Sequence, residues 1–170
     1  MALIKTVNGK TPLIPDSCYL AENATIIGAV ELGEDCSIWF QAVIRGDVNS
    51  IWIGNQVNIQ DGAVVHCTYE KSVTKIGNKV SIGHNAIIHG CEIQDHVLIG
   101  MGAIVMDNAV IESKVLLAAG ALVPENTVLK TGGVYAGVPA KRIKEMDSKL
   151  LDGEIERIAN NYLKYAGWYK

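Results

Sequence analysis

The chain has 170 residues and a formal net charge of −3, from 15 basic and 18 acidic side chains. That length suits one domain, residues 1–170, with a sizeable core, and the lack of any basic block argues against nucleic-acid binding. Hydrophobic residues make up 49% of the chain but aromatics only 6%. The apolar weight lies in 20 Ile and 17 Val against 12 Leu, with 17 Gly, which suits short strands and tight turns rather than a helical bundle. No stretch of about 18 uncharged apolar residues occurs, so no membrane span is expected. Met1–Pro15 has no apolar run behind a positive start, which points to a cytoplasmic, reducing location. Cys18, Cys36, Cys67 and Cys91 lack zinc-finger spacing and read first as small buried hydrophobes.

From about residue 14 to 134, aliphatic residues recur every six positions. The first run is Ile14, Leu20, Ile26, Leu32, Ile38 and Ile44. Ile53, Ile59 and Val65 follow, then Ile76, Ile82 and Ile88. The last run goes from Ile93 to Leu129 through Ile99, Val105, Ile111, Leu117 and Val123. Four residues after each comes a small or β-branched side chain, such as Ala24, Cys36, Ala63 or Val80. A period of six is neither helical nor simple strand alternation. It fits a flat strand plus a tight corner, three of which make one coil of a triangular prism. The aliphatics point to the axis and the small residues pack under the corners. The interruptions at 49–51 and 68–75 are expected to be loops thrown out at corners. Residues 135–147, with Gly137-Val138-Pro139-Ala140-Lys141, read as an exit segment. Leu151, Ile155, Ile158, Tyr162 and Tyr165 then fall at spacings of three and four. They predict one amphipathic helix over 148–168, lying on a prism face or against a neighbouring subunit.

Three of the four histidines cluster within 24 residues: His66, His84 and His89. In the prism frame Ile44, Val65 and Ile88 lie one coil apart, so Arg45, His66 and His89 stack on one face. Adjacent rungs are about 4.8 Å apart, a spacing at which two imidazoles can share one metal ion. His84 belongs to the preceding face, one coil above Asp61. A threefold ring would bring the His84 face of one subunit to the His66/His89 face of the next. Three neutral imidazoles with an open position form the pattern of a catalytic zinc site. Cys67 and Cys91 are rival ligands, each off the histidine position in the frame. His96 has no partner in the frame and reads as exposed. Arg45 needs a carboxylate, which Asp47 or Asp61 can supply, either as an interface-locking pair or in direct chemistry. Asn58 and Gln60 place polar groups beside the site, and Gln60 can orient a metal-bound hydroxide.

The ordered set Arg45-Gly46-Asp47, Asn58-Ile59-Gln60-Asp61, His66, His84 and His89-Gly90, inside a hexapeptide prism, resembles the γ-class carbonic anhydrase family over nearly the whole chain. The resemblance implies a left-handed parallel β-helix with a C-terminal α-helix. It implies a homotrimer with Zn2+, or Fe2+ or Co2+, between subunits, held by His66 and His89 of one chain and His84 of the next. The activity it implies is reversible hydration of CO2 to bicarbonate by a metal-bound hydroxide, with Gln60 orienting it and Arg45, Asp47 and Asp61 in interface ion pairs. A tyrosine of the C-terminal helix, here Tyr162, is expected near the pocket, with plain helix packing as its other reading. The chain departs from the best-known active members at Val48, where they carry an acid, and at 68–75, where a long acidic loop is replaced by a short one with Glu70 its only acid. Two other functions fit the same prism. One is an acyltransferase using coenzyme A, with a histidine as general base; the other is a catalytically weak metal-binding scaffold.

Overall fold

A computed structural model describes residues 1–169. Its body is a parallel β-solenoid of about seven coils with three faces. The first face stacks Leu3–Lys5, the starts of the long strands Thr25–Leu32 and Val43–Ile53, then Val64–His66, Ile87–His89, Ile104–Val105 and Leu122–Val123. The second face carries the ends of the two long strands, then Thr74–Ile76, Glu92–Ile93, Val110–Ile111 and Val128–Leu129. The third runs from Tyr19–Leu20 through Ser37–Ile38, Asn58–Ile59, Ser81–Ile82, Leu98–Ile99 and Leu116–Leu117 to Gly133–Ala136.

The six-residue period is the interior. Ile26, Ile44, Val65, Ile88, Val105 and Val123 pair rung to rung on the first face and are wholly buried. β-Branched side chains with one favoured rotamer suit such identical stacking. Ala24, Ala42, Ala63, Ala86 and Ala103 fill the corner slots and are equally buried. Many corners turn through positive φ at Asn85, Asn108, Asn126 and similar residues, which tolerate that region better than branched side chains do.

Both interruptions differ from simple loops. Residues 49–51 lie inside the continuous strand Val43–Ile53. Gly28 pairs with Gly46 but Val30 pairs with Ile51, so the extra residues form a bulge that carries the strand around the corner. The two backbones meet closely there: a Cβ on Gly28, at φ +75°, would lie 2.4 Å from the Gly46 carbonyl oxygen. At the second interruption Thr74 and Lys75 already belong to the next strand, which leaves only a short turn around Tyr69–Lys71.

Beyond the prism, Lys141–Glu145 folds back antiparallel on Gly133–Ala136, so the exit segment is a hairpin. The C-terminal helix has three parts: Ser148–Leu150, a π-helical stretch Leu151–Glu156, and Arg157–Ala166. Asp147 caps its start by accepting from the Leu150 amide at 2.8 Å. Ile155, Ala159 and Ala166 are its buried residues. Tyr162 packs edge-on against Trp39 with centroids 5.2 Å apart. No helix among the described residues is long and apolar enough to cross a membrane.

His96 is not the partnerless surface residue expected from the frame. It sits at a positive-φ corner and donates through Nδ1 to Glu156 of the π-helical stretch, which also pairs with Lys79 at 3.3 Å. Burial opposes the Glu156 carboxylate, but bonds from His96 and Lys79 outweigh it and hold its pKa below the usual range.

Candidate metal centre

His66 and His89 occupy facing positions of adjacent strands. Each ends a three-residue strand whose middle residue, Val65 or Ile88, is locked in the core. The rings stand with centroids 5.2 Å apart, and His66 Nδ1 lies 3.2 Å from His89 Nε2. The outer nitrogen of each ring meets a carboxylate. His66 Nε2 is 3.2 Å from Asp47 Oδ1, and His89 Nδ1 is 3.0 Å from Asp107 Oδ2. An ionised carboxylate only accepts, so each outer nitrogen carries a proton. The inner nitrogens, His66 Nδ1 and His89 Nε2, face each other across 3.2 Å, and in neutral rings they present two lone pairs to a cation between them. Two nitrogens on one tetrahedral zinc, each at about 2.0–2.1 Å, stand about 3.3 Å apart, so the spacing fits a shared metal ion.

The electrostatics favour the neutral, ligating form. Burial lowers the His66 pKa, and the charge of Arg45 acts in the same direction against the bond to Asp47. Burial works against the Asp47 carboxylate, but bonds from Arg45 and His66 hold it below its normal range. Arg45 Nη1 donates to Asp47 Oδ2 at 2.7 Å within the chain, so of its two expected partners Asp47 takes it here.

His84 lies on the third face. Its Nδ1 is 2.9 Å from Asp61 Oδ2, one coil below, since Ile59 and Ile82 pair in register. Among the described residues no three His, Cys, Asp or Glu side chains of one chain converge as a metal group; the His66–His89 pair supplies two. Cys67 and Cys91 are poor rivals. Burial pushes the Cys67 thiol up and the Cys91 thiol up to about 12, so neither is a thiolate at neutral pH.

The remaining polar residues surround His84. Gln60 Nε2 donates to Asn58 Oδ1 at 2.9 Å, and Asn58 Nδ2 donates to Ser81 Oγ at 2.7 Å, a buried relay that fixes the Gln60 amide. Gln60, His84 and Tyr162 line one cavity of about 340 Å³ with Leu98, Met101 and Leu116. Tyr162 also borders a smaller aromatic hollow with Asp61 and Trp39. Burial and the nearby Asp61 push its phenol up to about 12, so it stays a protonated donor. The sequence reading missed Asp107, Ser72 and Thr68. The one available signal was register: Val105 pairs with Ile88, which puts Asp107 in the coil after His89.

Comparison with known proteins bears on this geometry. The carbonic anhydrase of Geobacillus kaustophilus is 44% identical over 168 residues, covering 99% of this chain and 91% of its own. The chain belongs to the γ-class carbonic anhydrase family. The mitochondrial gamma carbonic anhydrase 2 of Arabidopsis thaliana is 40% identical over 171 residues, and this chain spans 60% of its length. The crystal structure of a hexapeptide transferase family protein from Anaplasma phagocytophilum superposes with a TM-score of 0.94 at 38% identity, covering 99% of this chain and 98% of its own. No family model matches the chain. For this member of the γ class, the hexapeptide solenoid and its C-terminal helix are the common frame.

Proposed function

We propose that this chain is a metal-dependent lyase that interconverts CO2 and bicarbonate at sites shared between three copies. One observation carries the reading: the facing ring nitrogens of His66 and His89, 3.2 Å apart, each ring with its outer nitrogen on a carboxylate. His84, with Nδ1 2.9 Å from Asp61 Oδ2 on another face, is the third ligand, delivered by a neighbouring copy. Zinc suits three imidazoles, and iron(II) or cobalt(II) take the same donors. An ion so held supplies a nucleophile at neutral pH by lowering the pKa of its water to about 7.

A shared site needs a face that copies can bury. Beside the histidine stack the outward row Val43, Val64, Ile87, Ile104 and Leu122 runs rung to rung. Ile87 and Ile104 are 39% and 36% exposed. A threefold ring closes on such a face without leaving an open end. Arg45, with its side chain 43% exposed beside Asp47, serves at the rim of that contact in this reading, together with Asp61.

The chain's own residues then do the following. Gln60, oriented through Asn58 and Ser81, presents a fixed amide to the oxygen that attacks or leaves. Leu98 and Leu116 give CO2, an apolar molecule, an apolar wall. Tyr162 stays protonated and donates. With Val48 after Asp47 and only Glu70 acidic in the 68–75 segment, protons leave through solvent rather than along a carboxylate relay.

The test is stopped-flow CO2 hydration on protein of defined metal content. The expected result is about one ion per chain and hydration that follows metal occupancy. A protein that binds no zinc or anaerobic iron is not a metalloenzyme, and one that binds metal without hydrating CO2 is a scaffold. A second reading, transfer of acyl groups from coenzyme A, draws on the likeness to the hexapeptide transferase family protein. Coenzyme A binding without metal would establish it instead.

A further inference from the structure

We infer that Asp107 is a positioning residue for His89, and that Gly90, Ser72 and Thr68 are the parts that place it. The assignment rests on the metal reading above for its purpose but on separate contacts for its geometry. Asp107 comes from the coil after His89 and reaches back across the corner. Its Oδ2 lies 3.0 Å from His89 Nδ1 and accepts from Thr68 Oγ1 at 3.1 Å, while Oδ1 accepts a short bond from Ser72 Oγ. Ser72 Oγ also accepts from the Thr68 amide at 3.0 Å, and Asn49 Nδ2 donates to the Ser72 carbonyl at 2.8 Å. The short turn at the second interruption is therefore a clamp around one carboxylate.

Gly90 makes the reach possible. A Cβ there would lie 2.0 Å from Asp107 Oδ1 and 2.1 Å from Ser72 Oγ, and its φ is +57°. Any side chain at that position would occupy the space the carboxylate uses. The neighbouring backbone is tied down as well: the Gly90 amide donates to Thr74 Oγ1 at 3.0 Å, and Thr74 Oγ1 donates to the His66 carbonyl at 2.6 Å. The glycine after the histidine is thus explained by what must pass over it.

Three donors converge on Asp107, from His89, Ser72 and Thr68, and a carboxylate can accept all three. With Nδ1–H held there, His89 has one tautomer and one ring orientation, and Nε2 faces His66 as a lone pair. Carboxylates behind metal-bound imidazoles commonly act this way, and their loss lowers metal affinity by about 10–100-fold. An amide at position 107 loses the charge and accepts through one oxygen only, which His89 and Thr68 must share while its nitrogen turns to Ser72 Oγ.

The experiment combines two readouts on the full chain. Long-range 1H–15N NMR of the metal-free protein reports each ring's tautomer, and competition with a chromophoric chelator gives the zinc affinity. Wild type should show His89 protonated at Nδ1. Asp107→Asn should mix the two tautomers and weaken zinc binding about 10–100-fold while keeping one ion per chain at saturation. Ser72→Ala should change both in the same direction but less. A wild-type His89 protonated at Nε2 overturns the inference, and needs no folded variant to be observed. A folded Asp107→Asn protein with unchanged tautomer and zinc affinity overturns it too. Failure of wild type to bind zinc would refute the metal reading instead, and the tautomer would still decide the role of Asp107.

Discussion

If the site is shared between copies, breaking the contact between them should empty it. The double variant Ile87→Asp with Ile104→Asp tests this. The two side chains are in-register neighbours on the outside of the first face, 39% and 36% exposed. Fully burying an isoleucine contributes about 1.5–3 kcal/mol, so the area still open on the pair is worth about 1–2 kcal/mol per chain on association. An aspartate closed into that contact without a partner costs several kcal/mol more. Together these exceed about 2.8 kcal/mol, or about 100-fold in the association constant. Light scattering after size exclusion should find a trimer for wild type and a monomer for the variant at micromolar concentration. Circular dichroism should be unchanged, because both side chains point away from the prism axis. Bound zinc should fall with the oligomer. A variant that stays trimeric and fully loaded would place the contact elsewhere. A monomer that still holds zinc at wild-type affinity would refute the third ligand from a neighbour.

Other outcomes follow from single residues. His84→Ala should leave the thermal melt nearly unchanged, since its side chain is 40% exposed, yet abolish tight zinc binding by elemental analysis; loss of the fold would make this histidine structural. Ile59→Ala, at a wholly buried position, should cost about 2–5 kcal/mol. At about 2–4 °C per kcal/mol for this chain length, the melting temperature should fall by about 4–20 °C, and a shift under 2 °C would contradict the inward stack. Asp47, Asp107 and Glu156 all have folded pKa values below normal. Depressed carboxylates contribute stability that is present above their unfolded values, about 4, and lost as pH falls through the folded ones. Melting temperature should therefore be flat on this account above pH 6 and drop below about pH 4; a rise on acidification would reverse the sign. Glu156→Gln should weaken the tie from the C-terminal helix to His96 and Lys79, worth about 0.2–1 kcal/mol per pair. Faster amide exchange in 157–166 should report it, with the prism strands unaffected.

The prism was legible because its interior leaves no freedom. Ile44, Val65 and Ile88 must stack for any coil to close, and the residues after them then stack too, so His66 and His89 follow from register alone. Asp61 beneath His84 was legible in the same way. Asp107 was not, because its bond to His89 crosses a corner, spans 18 positions and depends on the missing side chain of Gly90. No periodicity encodes such a contact. His96 failed for a related reason: its partner, Glu156, lies 60 positions away on a π-helical stretch, and the spacing of three and four in that segment predicts only an ordinary helix. Residues 49–51 read as a loop because an extra residue count does not distinguish a strand that bulges from one that stops.

The turn that follows the His66 rung has a separate use. Val64–His66 and Thr74–Ile76 are each paired on both sides, so the rungs do not rely on what joins them. Tyr69 is 63% exposed and Glu70 and Lys71 point to solvent, while Thr68 and Ser72 do the clamping. Doubling the length of a flexible connection costs only about 0.6 kcal/mol. Foreign sequence grafted between Glu70 and Lys71 would sit beside the hollow lined by Asn49, Gly90 and Glu92 while the paired strands beneath kept their spacing. A chain built this way can change the surface next to its histidine rungs by editing one tip.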